Sequence, residues 1–333
     1  MMFLVVLVLG TLLTISSHSW FGMWVGLEVN LLCFIPLISN MKNSLSSESS
    51  MKYFITQAMA STVFLLSIII MLPYNNLVNM LYLENFNAII MNSSILTKMG
   101  AAPFHFWFPE VIEGLNWMNS LILLTWQKIA PMIVLICSLS ELNFIFFVII
   151  FSMIISGLMG INQISLRKIM AYSSINHIGW MISSLFMAQS IWLIYLTIYF
   201  IITVNLVILF DMLNIFYMKQ LINSINNSKL VKISFIMGFM SLGGLPPLLG
   251  FFPKWITINF LVENNFILMS LLMIIFTLMT LYFYLRIVFS SMLMSISEVS
   301  SKLYSFNHSF LLIFINFISI LGLPICMMIH NFI

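Results

Sequence analysis

Four ionisable side chains stand inside long apolar runs of a chain in which only 6% of residues are charged: Glu28, Lys98, Lys128 and Lys254. A charge near the centre of a membrane helix costs about 2.5–3.5 kcal/mol on insertion scales, so such residues face a bundle interior and pair with one another. Surroundings of low polarity disfavour the charged form of an amine, and a lysine held there can exchange a proton near neutrality. That is the chemistry of a proton relay. The competing reading is a structural ion pair, Glu28 with Lys98, that fastens two helices and moves nothing. Three lysines against one glutamate is a poor composition for static pairing, which favours the relay. His177, in AYSSINHIGW (171–180), stands in mid-run. It could pass protons or serve as a hydrogen-bonded core histidine. His105 lies beside a break and reads as a loop residue. Asp211 and Arg286 lie near the ends of their runs, where snorkelling explains them.

The elements that position these groups must be membrane helices. The chain has 333 residues, 62% of them hydrophobic, with a mean hydropathy of +1.12, where a soluble domain carries about 25% charged residues. Apolar runs of spanning length, about 20 residues, cover 2–17, 20–39, 53–72, 86–106, 118–138, 143–161, 168–187, 190–211, 232–258, 266–287 and 308–328. Eleven transmembrane helices follow, since a barrel would need short alternating segments. With the N-terminus inside, Lys42, Lys52, Arg167, Lys168, Lys219, Lys229, Lys232 and Lys302 all fall in or beside inside loops. The outside loops carry Glu84, Glu141 and Glu263 and no basic residue. This one-sided pattern supports both count and orientation. Glu110 and Glu113 form an acidic inside loop, the exception.

Helix breakers interrupt two runs. The fourth holds Gly100, Pro103 and Pro109. The ninth contains SLGGLPPLLGFFPKW (241–255), with Gly243, Gly244, Pro246, Pro247, Gly250 and Pro253. Residues 1–138 and 143–290 thereby form two five-helix sets within one membrane domain, each with a broken helix as its fourth member. Because five is odd, the second set is inverted relative to the first; 308–328 is an additional C-terminal helix. Inverted repeats with interrupted helices in matching places are the pattern of ion-coupled transporters.

Cys33, Cys137 and Cys326 are scattered and make no Cys-x-x-Cys or Cys/His spacing, so no metal or iron–sulfur site is expected. Neither G-x-G-x-x-G nor a P-loop occurs, so no nucleotide site can be read, and no nucleic-acid partner is expected. The 28 Met and 31 Phe, with abundant Ile and Asn and little Ala, are residues of A/T-rich codons. They suggest an AT-rich mitochondrial gene translated inside the organelle, which agrees with the lack of an Arg-rich leader.

Five segments in order carry a resemblance: GLEVNLLCFIPL (26–37), LTKMGAAPFHFWFPEV (96–111), TWQKIAP (125–131), RKIMAYSSINHIGWM (167–181) and GGLPPLLGFFPKW (243–255). Together they resemble the chain-2 family of mitochondrial NADH–ubiquinone oxidoreductase, respiratory complex I, over nearly the whole chain, in a form that suggests an invertebrate. That family is related to subunits of multisubunit cation/proton antiporters. The resemblance implies a proton-translocating module in the mitochondrial inner membrane, N-terminus in the matrix and C-terminus in the intermembrane space. Glu28 and Lys98 would be the pair of the first half-channel, Lys128 the linking lysine and Lys254 the terminal one. It implies no cofactor in this chain: NADH, FMN, iron–sulfur clusters and ubiquinone belong to the parent complex. Implied partners are the other complex I membrane subunits and inner-membrane lipids such as cardiolipin. A subunit of a cation/proton antiporter is the alternative.

Overall fold

The computed structural model describes residues 2–40, 43–74, 81–139, 141–225, 229–293 and, singly, Phe317, Gly322 and Pro324. The helices in chain order are α1 (Met2–Ser16), α2 (Trp20–Ile38), α3 (Ser44–Tyr74), α4 (Leu81–Met99), α5 (Trp107–Gly114), α6 (Trp117–Leu124) and α7 (Ile129–Cys137). They continue with α8 (Leu142–Ile161), α9 (Leu166–Met187), α10 (Gln189–Leu213), α11 (Met218–Ile225), α12 (Lys229–Gly243), α13 (Phe251–Glu263) and α14 (Ile267–Leu293). Among the described residues there is no strand, only an isolated bridge between Ser165 and Tyr217. Among the described residues six stretches are long and apolar enough to cross a membrane: Trp20–Ile38, Ser44–Met71, Trp117–Cys137, Leu142–Ile161, Gln189–Leu213 and Ile267–Leu293. Each of the first ten expected runs overlaps a helix. Run 308–328, Lys42 and Lys302 lie outside the described residues, apart from the three single positions.

Three local differences from the sequence reading have plain causes. Helix α3 starts at Ser44, well before the expected 53. Its polar first turns are helical, with the hydroxyls of Ser47, Ser49 and Ser50 each bonded to the carbonyl three residues back and with Lys52 paired to Glu48 one turn earlier, an arrangement that supports a helix. Glu110 and Glu113, expected in a loop, lie on α5. Pro109 is the third residue of that helix, where no intrahelical N–H bond is lost. The fifth run, expected as one helix, is α6 and α7 joined by a 3-10 turn at Trp126–Lys128. Pro131 cannot donate to the Gln127 carbonyl and its ring crowds that group, so the chain tightens: Lys128 N bonds Thr125 O at 3.2 Å.

The chain divides into compact units Met1–Ser152 and Met153–Ile333, the division falling inside α8. In the first, α1 and α2 approach closely. A Cβ on Gly26 would lie 2.5 Å from Thr14 Cγ2, and one on Gly10 would lie 3.1 Å from Asn30 N. Small residues at such a crossing bring backbones together where apolar burial gives no net drive. The close crossing fixes the α2 face that carries Glu28. Asn119 Nδ2 donates to Leu37 O at 2.7 Å and ties α6 to the same helix. In the second unit, α9 is buried along nearly its whole length, and Phe210, Phe235, Phe239 and Tyr284 form an aromatic cluster on α10, α12 and α14.

Candidate proton-relay site

Both interrupted helices end on the same backbone device. At the end of α4, Gly100 has φ +75°; its N–H bonds Thr97 O at 3.2 Å and the Ala101 N–H bonds Leu96 O at 3.1 Å. At the end of α12, Gly244 has φ +78°; its N–H bonds Ser241 O at 3.1 Å and the Leu245 N–H bonds Met240 O at 3.3 Å. This pair of bonds around a left-handed glycine is the Schellman cap, which releases the chain from the helix and gives two of its last carbonyls a partner. A residue with a Cβ would be strained at either glycine.

Lys98 is buried and stands two residues before Gly100. Its Nζ lies 3.6 Å from Glu28 Oε1, the side chains being 4% and 24% exposed. That is an ion pair just beyond direct hydrogen-bond length, and among the described residues Glu28 Oε1 has no hydrogen-bond partner. Gln57 Nε2 donates to Lys98 O at 3.3 Å and Trp107 Nε1 to Thr97 O at 3.0 Å, so two neutral side chains serve the end of α4. Lys128, at the end of the 3-10 turn, is 2% exposed, its Nζ 5.8 Å from the centre of the Phe108 ring. Gln127 Nε2 donates to Asn30 Oδ1 at 3.0 Å, which joins the neighbours of Lys128 and Glu28 in sequence.

The second break is served differently. Lys254, buried on α13, points its Nζ back at the end of α12, donating to Gly243 O at 2.9 Å and Leu242 O at 3.2 Å. A cation suits a helix C-terminus, and a neutral amine still carries two N–H groups for the same carbonyls. Lys254 can therefore release a proton and keep its seat. His177 is buried on α9, Nδ1 2.9 Å from Tyr195 Oη and its ring 5.0 Å from the Tyr199 ring. This is a hydrogen-bonded core histidine with a partner able to carry a proton.

The family model for "NADH:quinone oxidoreductase/Mrp antiporter, TM" matches residues 17–280. The chain belongs to this family. It is 47% identical to an Anopheles gambiae protein named NADH-ubiquinone oxidoreductase chain 2, covering 98% of this chain and 97% of that one. A chain of Thermus thermophilus respiratory complex I shares the fold with a TM-score of 0.84 and 21% identity, over 96% of this chain and 77% of that one. A chain of the Mrp complex from a Dietzia species does so with a TM-score of 0.77 and 16% identity, over 90% and 62%.

For this family member, sequence reasoning missed the residues that support the charges. Gln57, Asn30 and Gln127 had a usable signal, being amides inside apolar runs, where a polar group needs a partner. Trp107 and Phe108 had none, because which segment an aromatic faces after a break depends on the fold.

Proposed function

We propose that this chain is an antiporter-like, proton-translocating membrane subunit of respiratory complex I. It couples oxidation of NADH by ubiquinone to proton transfer across the mitochondrial inner membrane. The near full-length similarity to proteins named for that enzyme supports the assignment. The observation that carries the site is the Glu28–Lys98 pair: opposed charges 3.6 Å apart, at the end of an interrupted helix. A charge pair without a short hydrogen bond keeps the proton on Lys98 exchangeable. Lys98, Lys128 and Lys254 are the relay, Glu28 sets the charge state of Lys98, and His177 is a subsidiary carrier.

The repeat reading accompanies this function: eleven spans, two inverted five-helix sets at 1–138 and 143–290, an added helix at 308–328, N-terminus in the matrix and C-terminus in the intermembrane space. The matching glycine caps favour it. The redox groups reside in other subunits of the complex, and the partners are its other membrane subunits and lipids, cardiolipin among them. The second reading, a subunit of a multisubunit cation/proton antiporter, is favoured by the fold it shares with the Mrp chain; it requires ion-dependent transport without NADH.

The test is Glu28→Gln in the assembled complex in liposomes. The expected result is an intact assembly that moves fewer protons per NADH. Unchanged pumping would overturn the relay and leave Glu28–Lys98 a structural fastening.

A further inference from the structure

Phe108 stands beside both the segment that carries Lys98 and the one that carries Lys128. It is the second residue of α5 and 1% exposed. A Cβ on Gly100, two residues beyond Lys98, would lie 3.0–3.1 Å from its Cβ, Cγ and Cδ2. Lys128 Nζ lies 5.8 Å from its ring centre. An aromatic face attracts an ammonium but offers a proton no hydrogen-bonding atom.

The helix that carries this ring is only eight residues long and is moored to α3 at three points. A side chain on Gly114 would run into Leu45 O and Ser49. Trp107 packs edge-on against Tyr53, ring centres 5.8 Å apart. Lys52 Nζ bonds Glu110 Oε2 at 2.8 Å while pairing with Glu48 Oε1 at 2.9 Å. The Lys52 and Glu110 side chains are 42% and 57% exposed, so the third mooring is a surface one, two residues from the buried ring.

We propose that Phe108 is a positioning residue that separates Lys98 from Lys128, and that the Lys52–Glu110 pair holds it in place. This rests on the relay reading above. In the transfer it controls, an N–H bond of the Lys98 ammonium breaks and one forms on the neutral amine of Lys128, through intervening water. With α5 moored, the ring excludes that water; when α5 shifts about the break at 100–106, water reaches both nitrogens.

The experiment measures passive proton uptake into liposomes holding the complex, under an imposed pH gradient and without NADH. Phe108→Ala should raise uptake several-fold, and Phe108→Leu, which keeps apolar bulk, by less. Lys52→Glu should raise it as well, and the exchange Lys52→Glu with Glu110→Lys should restore tightness. A complex that stays tight with every variant overturns the proposal. If Phe108→Ala fails to assemble, Phe108→Leu and the charge exchange decide: uptake that follows the exchange supports the proposal, and uptake indifferent to it overturns it. The two readings separate cleanly. Normal pumping by Glu28→Gln sinks the relay itself, whereas blocked pumping in Glu28→Gln with tight Phe108 variants sinks only the role of Phe108.

Discussion

The two breaks share a glycine cap and differ in what surrounds it. Aligned on Gly100 and Gly244, Pro103 falls opposite Pro247, Phe108 opposite Phe252, Pro109 opposite Pro253, and the starts of α5 and α13 coincide. The same alignment sets Glu110 opposite Lys254. In the first break the lysine precedes the glycine and reaches Glu28, while Gln57 and Trp107 serve the helix end. In the second the lysine follows the glycine and serves the helix end itself. A broken helix in lipid needs its carbonyls satisfied whatever else it does. On the proposed relay, capping and proton chemistry are thus assigned to separate residues at the first break and to one residue at the second.

The largest effect expected from that difference is at Lys254. Lys254→Ala removes the proposed relay amine and leaves the Gly243 and Leu242 carbonyls without its donors, so proton release and NADH-driven turnover should fail together. Lys254→Arg sharpens the point. A guanidinium can still donate to both carbonyls but does not give up its proton. Assembly should recover and pumping should not, read as complex abundance against protons moved per NADH. Normal pumping by Lys254→Arg would make this residue an electrostatic fixture and remove it from the relay.

A smaller effect separates the glycines. Forcing a residue with a Cβ into the left-handed region costs roughly 1–2 kcal/mol at either site. At Gly100 the new methyl meets the Phe108 ring at 3.0 Å, and at Gly244 it meets Lys254 Cδ at 2.9 Å and Nζ at 3.0 Å. Gly100→Ala should therefore lower the thermal stability of the assembled complex. Gly244→Ala displaces a flexible amine, so beyond the shared backbone cost it should lower pumping with a smaller loss of stability than Gly100→Ala. The reverse ranking would mean that the second break is the more rigid one.

The glycines and prolines of both breaks were legible because few residues tolerate the backbone they mark. The ten described runs were legible because lipid admits helices of set length and apolar composition. The 3-10 turn before Lys128 had its signal in Pro131, which was passed over because the run around it is uniformly apolar. Helix α5 was read as a loop since two acids and a proline look like one. Only the placement of Pro109 and Glu110 in the first turn of a helix, with Lys52 across from Glu110, accommodates them there. The pairing of Glu28 with Lys98 followed from charge scarcity. That Lys254 turns back to its own broken helix did not, because the direction a side chain takes across a break is set by packing.

The smallest effects should appear at the neutral caps of the first break, and they probe the separation most directly. Gln57 is buried, and its amide is a side-chain donor to the Lys98 carbonyl. Gln57→Leu, close to it in size, should cost about 1–3 kcal/mol, the usual penalty for depriving a buried acceptor. Trp107→Phe should cost less, about 0.5–1.5 kcal/mol, because the Thr97 carbonyl keeps the Gly100 N–H at 3.2 Å after the indole donor is gone. Both losses should show as a lower melting temperature of the complex in detergent, with protons per NADH unchanged. If Gln57→Leu lowered that ratio while Trp107→Phe did not, the amide would be steering the Lys98 ammonium as well as capping its helix. The first break would then combine the two tasks as the second does.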